Sequence, residues 1–186
     1  LSNSSDILQA IASFDAEIGF IEGPQTHAEV RTRPWLSDEM VIVAAPDHPI
    51  ARRQASLRAL QDCEWALREA GSGTRQVTER WLLEHLDDLR IAYEVGSAQA
   101  LLQLVQASRT LGCLSRLAAQ GAIRQGLVRE VRSPLPPASR RLAIAVHHER
   151  KLSARAQGFM QACLKLKRMP AQQVGPSLHR NLRQDA

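Results

Sequence analysis

Short apolar runs alternate with helix-like patterns along most of this chain, and that alternation restricts the fold more than any other feature. Candidate strands fall at 16–21, 30–35, 40–45, 64–67, 91–95, 111–114, 127–131 and 142–146. Helical spacing appears at 3–12, where Ile7, Leu8 and Ile11 share a face, and at 74–87. It recurs from Ser97 onward with Leu101, Leu102 and Val105, at 116–124, and at 153–166 with Phe159, Met160, Cys163 and Leu164 inward. A short helical turn is expected at 57–60. Strands that alternate with helices predict an α/β domain with a largely parallel sheet. In open sheets of that kind, ligands sit at the carboxyl ends of strands, beside helix starts.

One such helix start is Arg68-Glu69-Ala70-Gly71-Ser72-Gly73-Thr74-Arg75. Two glycines around a serine let the backbone turn tightly and approach a ligand closely. The first N–H groups of a helix lack intrahelical partners, and Ser72 and Thr74 add hydroxyls. The turn therefore offers a cup for a carboxylate or oxyanion. Arg75 in a first turn opposes the helix dipole by roughly 0.3–1 kcal/mol, a penalty that a bound anion would reverse. The same residues also allow a plainer arrangement: a Ser or Thr cap, with Arg75 paired to Glu79 one turn on.

Composition bounds the rest. The chain has 186 residues, 44% hydrophobic and 23% charged, enough for a core without disulfides. Its net charge of +5 is uneven: Lys167, Arg168, Arg180 and Arg183 against Asp185 leave only +2 for residues 1–166. A nearly balanced body does not suggest a nucleic-acid surface. Residues 167–186, with Pro170, Gly175 and Pro176 and no apolar periodicity, are expected to form a flexible basic tail. Cys63, Cys113 and Cys163 are isolated, with no metal-ligand spacing, and suit packed, reduced thiols in a cytoplasmic protein. No apolar run is long enough to cross a membrane and no secretory h-region is seen.

The order of these pieces resembles the effector-binding domain of LysR-type transcriptional regulators. The resemblance runs through Leu1-Ser2-Asn3-Ser4, then residues 15–24, 35–40 and 41–51, the whole of 68–75, Leu114-Ser115-Arg116, Gly126-Leu127-Val128, and 141–146 with the closing helix. It implies a two-lobed, periplasmic-binding-protein-like (type 2) α/β fold with two crossover strands. The crossings are expected near Ala45-Pro46 and near 141–146. Lobe I would be 1–45 plus 146–166, and lobe II 46–145. The match begins inside the family's second strand, so the first strand and helix of lobe I, and the DNA-reading domain, are expected to be absent from this chain.

Carried over by resemblance, the cleft would receive Ser4 from a helix start, and Glu22 and Gly23 from a strand end. Lobe II would add Ser72, Gly73, Thr74 and Arg75, with Ser97 at another helix start. Ser4 and Ser97 could equally be plain N-caps, and Glu22 a rim carboxylate. The expected ligand is a small, anionic effector, with no cofactor and no metal. The expected assembly is a homodimer or homotetramer that meets operator DNA only through a domain outside this chain. One departure is notable. Ser108-Arg109-Thr110 stand where the family usually has glycines, which puts the turn into 111–113 in question.

Two other functions fit parts of the pattern. A transporter's solute-binding protein would share fold and cleft. Prephenate dehydratases share the two-lobed plan, but their Thr-Arg-Phe motif meets Thr74-Arg75-Gln76 here. There is no nucleophile elbow and no phosphate loop, and no base and nucleophile are placed together, so catalysis is not expected.

Overall fold

The computed structural model describes residues 2–166; the basic tail expected at 167–186 lies outside the described residues. The element order is α1 (Ser4–Ala12), β1 (Gly19–Glu22), β2 (Val30–Ala44), a 3-10 turn (Pro49–Arg52), α2 (Leu57–Gln61), β3 (Glu64–Arg68), α3 (Gly73–Leu83) and β4 (Arg90–Val95). It continues with α4 (Ala98–Ala107), β5 (Leu111–Ser115), α5 (Arg116–Arg124), β6 (Arg129–Glu130), β7 (Ser139–His147) and α6 (Ala154–Leu166).

The strands expected at 30–35 and 40–45 are one strand of 15 residues. Pro34 is tolerated inside it because the register shifts between Pro34 and Leu36, a bulge being one of the few places where a strand accommodates a residue with no N–H. The run at 127–131 gives only the two-residue β6, although Val128 and Val131 are buried.

Long β2 belongs to two sheets. Residues 30–39 pair with β7, which pairs in turn with β1. Residues 40–43 pair with β5, followed by β3 and then β4, while β6 pairs with 43 and 44. Only β3 runs parallel to its neighbours, β4 and β5; the other pairings are antiparallel. The expectation of a largely parallel sheet is therefore corrected. β2 carries the chain out of the first sheet and β7, running against it, brings the chain back, and antiparallel pairing carries through into β5.

The sheet exchange also lies elsewhere than expected. β2 leaves β7 after Glu39 and joins β5 at Met40, not at Ala45-Pro46. β7 begins at Ser139, opposite Glu39, and Ala138 still accepts a bond from the Met40 N–H at 2.9 Å. Because β2 and β7 are antiparallel partners, the two crossings are one place in space.

The core follows the strand periodicity. Met40, Ile42 and Ala44 enter one buried cluster with Trp65, Leu67 and Leu111. Val41 and Val43 enter another on the opposite face, with Leu101, Val105 and Leu114. β2 is thus buried on both faces of the second sheet, which is why 40–45 reads as a continuous apolar run. The first sheet holds a smaller cluster of Leu8, Ile11, Ile21 and Ala145, where α1 lies directly on Gly19. On α6, Cys163 is buried but Phe159 is 54% exposed, so its inward placement is corrected; its ring meets Phe20 edge-on at 6.1 Å. Burial pushes the Cys113 thiol up to about 12, so it packs as a neutral group.

The turn at 108–110 forms without glycine. Ser108 ends α4 in an extended conformation. Its hydroxyl accepts the Thr110 N–H at 3.2 Å and meets the Thr110 hydroxyl at 2.8 Å. Side-chain hydroxyls replace the backbone freedom that glycine supplies, and β5 follows fully buried.

Ile42→Ala should show how much the shared strand contributes. Removing this side chain, which is 2% exposed, is expected to lower unfolding free energy by about 2–5 kcal/mol in urea titration. A loss under about 1 kcal/mol would mean that β2 is not tightly packed against the cluster of Trp65, Leu67 and Leu111.

Candidate functional site

The glycine-rich bend faces the first sheet. Ser72 caps α3, its hydroxyl accepting the Arg75 N–H at 3.5 Å. Gly71 has φ of +84° and Gly23 has φ of +92°, conformations that favour glycine. Gly73 sits against the backbone of Glu22, and a Cβ at Gly73 would collide with the Glu22 carbonyl oxygen. The Gly71 carbonyl accepts from the Ser5 N–H at 3.4 Å and from Gln25 Nε2 at 2.9 Å. The bend, the start of α1 and the end of β1 therefore meet in one seam.

Ser4 is not the cap of α1. Asn3 takes that role, accepting the Asp6 N–H at 3.0 Å. The Ser4 hydroxyl is then available to bridge to β1: it accepts the Glu22 N–H at 3.0 Å and donates to the Glu22 carbonyl at 3.2 Å. This holds the end of β1 where Glu22 reaches across the seam.

The Glu22 side chain meets Thr74 and Arg140. Thr74 donates its hydroxyl proton to Glu22 Oε2 at 2.9 Å. Arg140 Nη1 donates to the same carboxylate oxygen at 2.7 Å and to Thr74 Oγ1 at 2.7 Å. On its other side Arg140 holds Asp38 Oδ2 through Nε at 3.2 Å and Nη2 at 3.1 Å. Asp38 and Arg140 face each other directly in the β2–β7 register, a cross-strand pair of opposite charges. Asp38 also accepts from the Ser115 hydroxyl and from the Leu117 N–H at the start of α5. The seam is thus tied to two helix starts, those of α3 and α5.

Electrostatics rank these contacts. The Arg140 and Asp38 side chains are 3% and 1% exposed, whereas Glu22 is 42% exposed. A buried charge left unpaired is costly, so the Arg140–Asp38 pair is the fixed part. Glu22 is the more easily displaced part, since its side chain can be hydrated where it stands and Arg140 keeps Asp38 if Glu22 leaves. Beside Arg140 a cavity of about 470 Å³ opens between Trp81 on α3 and the proline-rich segment before β7, with Gly23 and Pro24 on its rim.

Two candidate residues lie apart from this constellation. Arg75 turns away: Nε donates to Glu79 at 2.8 Å, and Nη1 reaches Glu94 and the Arg68 carbonyl. The hydrogen bond that Arg75 donates to Glu79 above all holds the guanidinium pKa up. In this structure Arg75 braces α3 against β4, the plainer of the two arrangements that the sequence allows. The reason is proximity, since two carboxylates on its own half outcompete the seam. The Ser97 hydroxyl accepts the Ala100 N–H at 3.1 Å and so caps α4; no bond joins it to Glu22, Thr74 or Arg140. Ser4, Glu22, Gly23, Ser72, Gly73 and Thr74 are brought together. Asp38 and Arg140 were not among the candidates, and their only sequence signal is a charge of each sign next to an apolar strand. Among the described residues no His/Cys/Asp/Glu cluster could hold a metal ion, and no helix is long and apolar enough to cross a membrane.

Comparison with known proteins agrees with this architecture. The family model described as LysR substrate binding domain matches residues 1–168. YeiE of Escherichia coli strain K12, described as an uncharacterized HTH-type transcriptional regulator, is 39% identical over 163 residues, covering 88% of this chain and 56% of that protein. The HTH-type transcriptional regulator CysL of Bacillus subtilis strain 168 is 32% identical over 117 residues, covering 62% of this chain and 39% of that protein. The chain therefore spans about half the length of YeiE and less of CysL, both of which are described as transcriptional regulators. Among solved structures, the regulatory domain of Synechocystis CcmR in complex with 2-PG superposes with a TM-score of 0.80 at 24% identity, covering 91% of this chain and 82% of that one. The effector binding domain of QuiR in complex with shikimate gives 0.78 at 16%, covering 89% and 78%. A sulfate-bound OxyR2 regulatory-domain mutant from Vibrio vulnificus gives 0.72 at 15%, covering 89% and 78%. These likenesses show the type 2 periplasmic-binding-protein-like fold.

Arg140→Ala and Glu22→Ala separate the fixed from the exchangeable contacts. Arg140→Ala leaves Asp38 buried and unpaired and is expected to cost about 3–5 kcal/mol in urea unfolding. Glu22→Ala is expected to cost less than about 1 kcal/mol. Equal losses in the two variants would refute this ranking.

Proposed function

We propose that this chain, which belongs to the family of LysR substrate-binding domains, senses a small anionic effector bound at the seam between its two lobes and serves a DNA-binding transcriptional regulator. One observation carries the reading. The chain's own Glu22 carboxylate already rests on the Thr74 hydroxyl and the Arg140 guanidinium. A carboxylate is thus the kind of group these two donors hold, and an effector acid or oxyanion is its competitor. The names of the neighbours add support: sulfate is an oxyanion and shikimate a carboxylate, and each is the ligand of a domain of this fold.

The charge count explains how exchange proceeds. Arg140 carries one positive charge against Asp38 and Glu22, so the seam is negative while Glu22 is in place. An incoming anion is repelled until Glu22 leaves, and then meets Arg140 and Thr74 with only Asp38 opposing. Glu22 is half-exposed and can turn to water, whereas Arg140 stays anchored. The cavity beside Arg140 gives the rest of the ligand an apolar wall at Trp81. Gly73 and Ser4 take part by holding the Glu22 backbone close, and Ser72 by fixing the start of α3. Arg75 and Ser97 have no direct share in this reading.

Exchange at Glu22 would change how the lobes close. Glu22 and Ser4 belong to the first sheet and its helix, Thr74 to the second, so replacing Glu22 by a free anion replaces a covalently tethered latch. An effector shifts the arrangement only by its differential affinity for the two forms. In the whole regulator, paired copies of this domain, as dimers or tetramers, would pass that shift to DNA-binding domains beyond this chain.

Thermal-shift titration of the chain with sulfate, sulfite, phosphate and small carboxylates tests the reading. At least one is expected to raise Tm in a saturable manner. Thr74→Val is expected to weaken that ligand by about 1–3 kcal/mol, as for a lost buried hydrogen bond. Glu22→Gln is expected to strengthen it, because the internal competitor loses its charge. No stabilisation by any acid, or weaker binding by Glu22→Gln, would contradict the proposal.

A further inference from the structure

Away from the seam, the second sheet carries a depression of about 650 Å³ between the 3-10 turn Pro49–Arg52 and β6. Arg52 and Arg53 line one wall, Arg129 and Arg132 the other. All four residues are exposed. Among the described residues none of the four has a carboxylate within ion-pair distance, as is also true of several other exposed arginines; what sets these four apart is that they line one hollow. The single carboxylate of the lining, Glu130, is taken by both arms of Arg116 at 2.8 and 2.7 Å. Residues 1–166 carry only +2 overall, so four unneutralised guanidinium groups in one hollow are a marked local excess.

The walls are held in place by backbone. The Ala55 N–H donates to the Arg132 carbonyl at 2.7 Å, which ties one wall to the other. β6 is paired to Val43 and Ala44 of β2, so Arg129 stands on the buried shared strand. His48 fixes the turn below Arg52, accepting the Ile50 N–H at 3.2 Å and meeting the Arg109 carbonyl at 3.1 Å. Charges that repel one another are thus presented by segments that cannot easily move apart.

We propose that this hollow is a second ligand site, distinct from the seam, that takes a small, multiply charged phosphate compound such as a di- or triphosphate. Guanidinium forks match phosphate oxygens in geometry and keep their charge at every physiological pH. Two facing pairs suit a ligand with several phosphoryl groups better than a single sulfate-sized ion. The volume is that of a small-molecule site, which spans roughly 300–1,000 Å³. A DNA duplex is the poorer fit. It needs an extended basic stripe rather than a hollow, and on the β6 side Arg116 is neutralised by Glu39 and Glu130.

Calorimetric titration of the chain with tripolyphosphate and with ATP, near physiological salt, tests this inference. A mixed-sequence DNA duplex forms the third arm. Saturable binding of one polyphosphate per chain is expected. Arg52→Gln and Arg129→Gln should each weaken it about fivefold, and the double variant by about 25-fold, as for exposed charge contacts. Arg155→Gln, which removes the same charge from α6, should leave the affinity within about twofold. Tm values near that of the parent chain would show that the variants are folded. Absence of polyphosphate binding would overturn the inference, as would equal weakening by Arg155→Gln. Duplex binding that is tighter than tripolyphosphate binding and lost in the Arg52 and Arg129 variants would overturn it in favour of a nucleic-acid surface.

Discussion

A buried ion pair between Asp38 and Arg140 sits where the chain passes from one sheet to the other, and the remainder of the seam is arranged around it. The two residues are direct partners across β2 and β7, next to the point where β2 changes sheets. Such a pair contributes little net stability by itself, because removing two charges from water offsets most of their attraction. It contributes position. Asp38 draws in Ser115 and the start of α5, while Arg140 draws in Thr74 and the start of α3. One cation therefore registers both sheets and two helix starts. The cation also remains able to hold another acid, since Asp38 occupies Nε and Nη2 and leaves Nη1 facing Thr74 and Glu22.

Glu22 takes that remaining valence. This changes the meaning of the glycine bend. As a sequence, Gly71-Ser72-Gly73-Thr74 promises a cup for a free anion. In the folded chain Gly73 gives room for the Glu22 backbone to approach, and Thr74 holds the Glu22 side chain. The bend closes the seam around an acid that the protein itself supplies. In the proposed function, the affinity of an effector would be set by two terms: its hold on Thr74 and Arg140, and the ease with which half-exposed Glu22 gives way to it.

Much of the fold was legible because local patterns and tertiary packing agree. The apolar run 40–45 reads as a strand buried on both faces, and β2 is buried so; Ser97 reads as a cap and is one. Two features could not be read. Strand direction depends on pairings between distant segments, so the antiparallel core of β1, β7 and β2 was invisible. The role of Arg140 depends on a register that places it opposite Asp38, 102 positions away. The Arg75–Glu79 pair is one of the two readings that the glycine bend allows, and only the second partner of Arg75, Glu94 on a neighbouring strand, was out of reach. The turn at 108–110 went the other way: missing glycines suggested a distorted strand, but the hydroxyls of Ser108 and Thr110 supply the bonds locally.

The most direct test of this account is a crystal structure of the chain grown at saturating sulfate or with the best acid found by thermal shift. The account predicts that the anion lies within hydrogen-bond distance of Thr74 Oγ1 and Arg140 Nη1, that the Glu22 side chain has swung out to solvent, and that Arg140 still grips Asp38. An anion bound elsewhere between the lobes, with Glu22 still seated on Thr74 and Arg140, would contradict it.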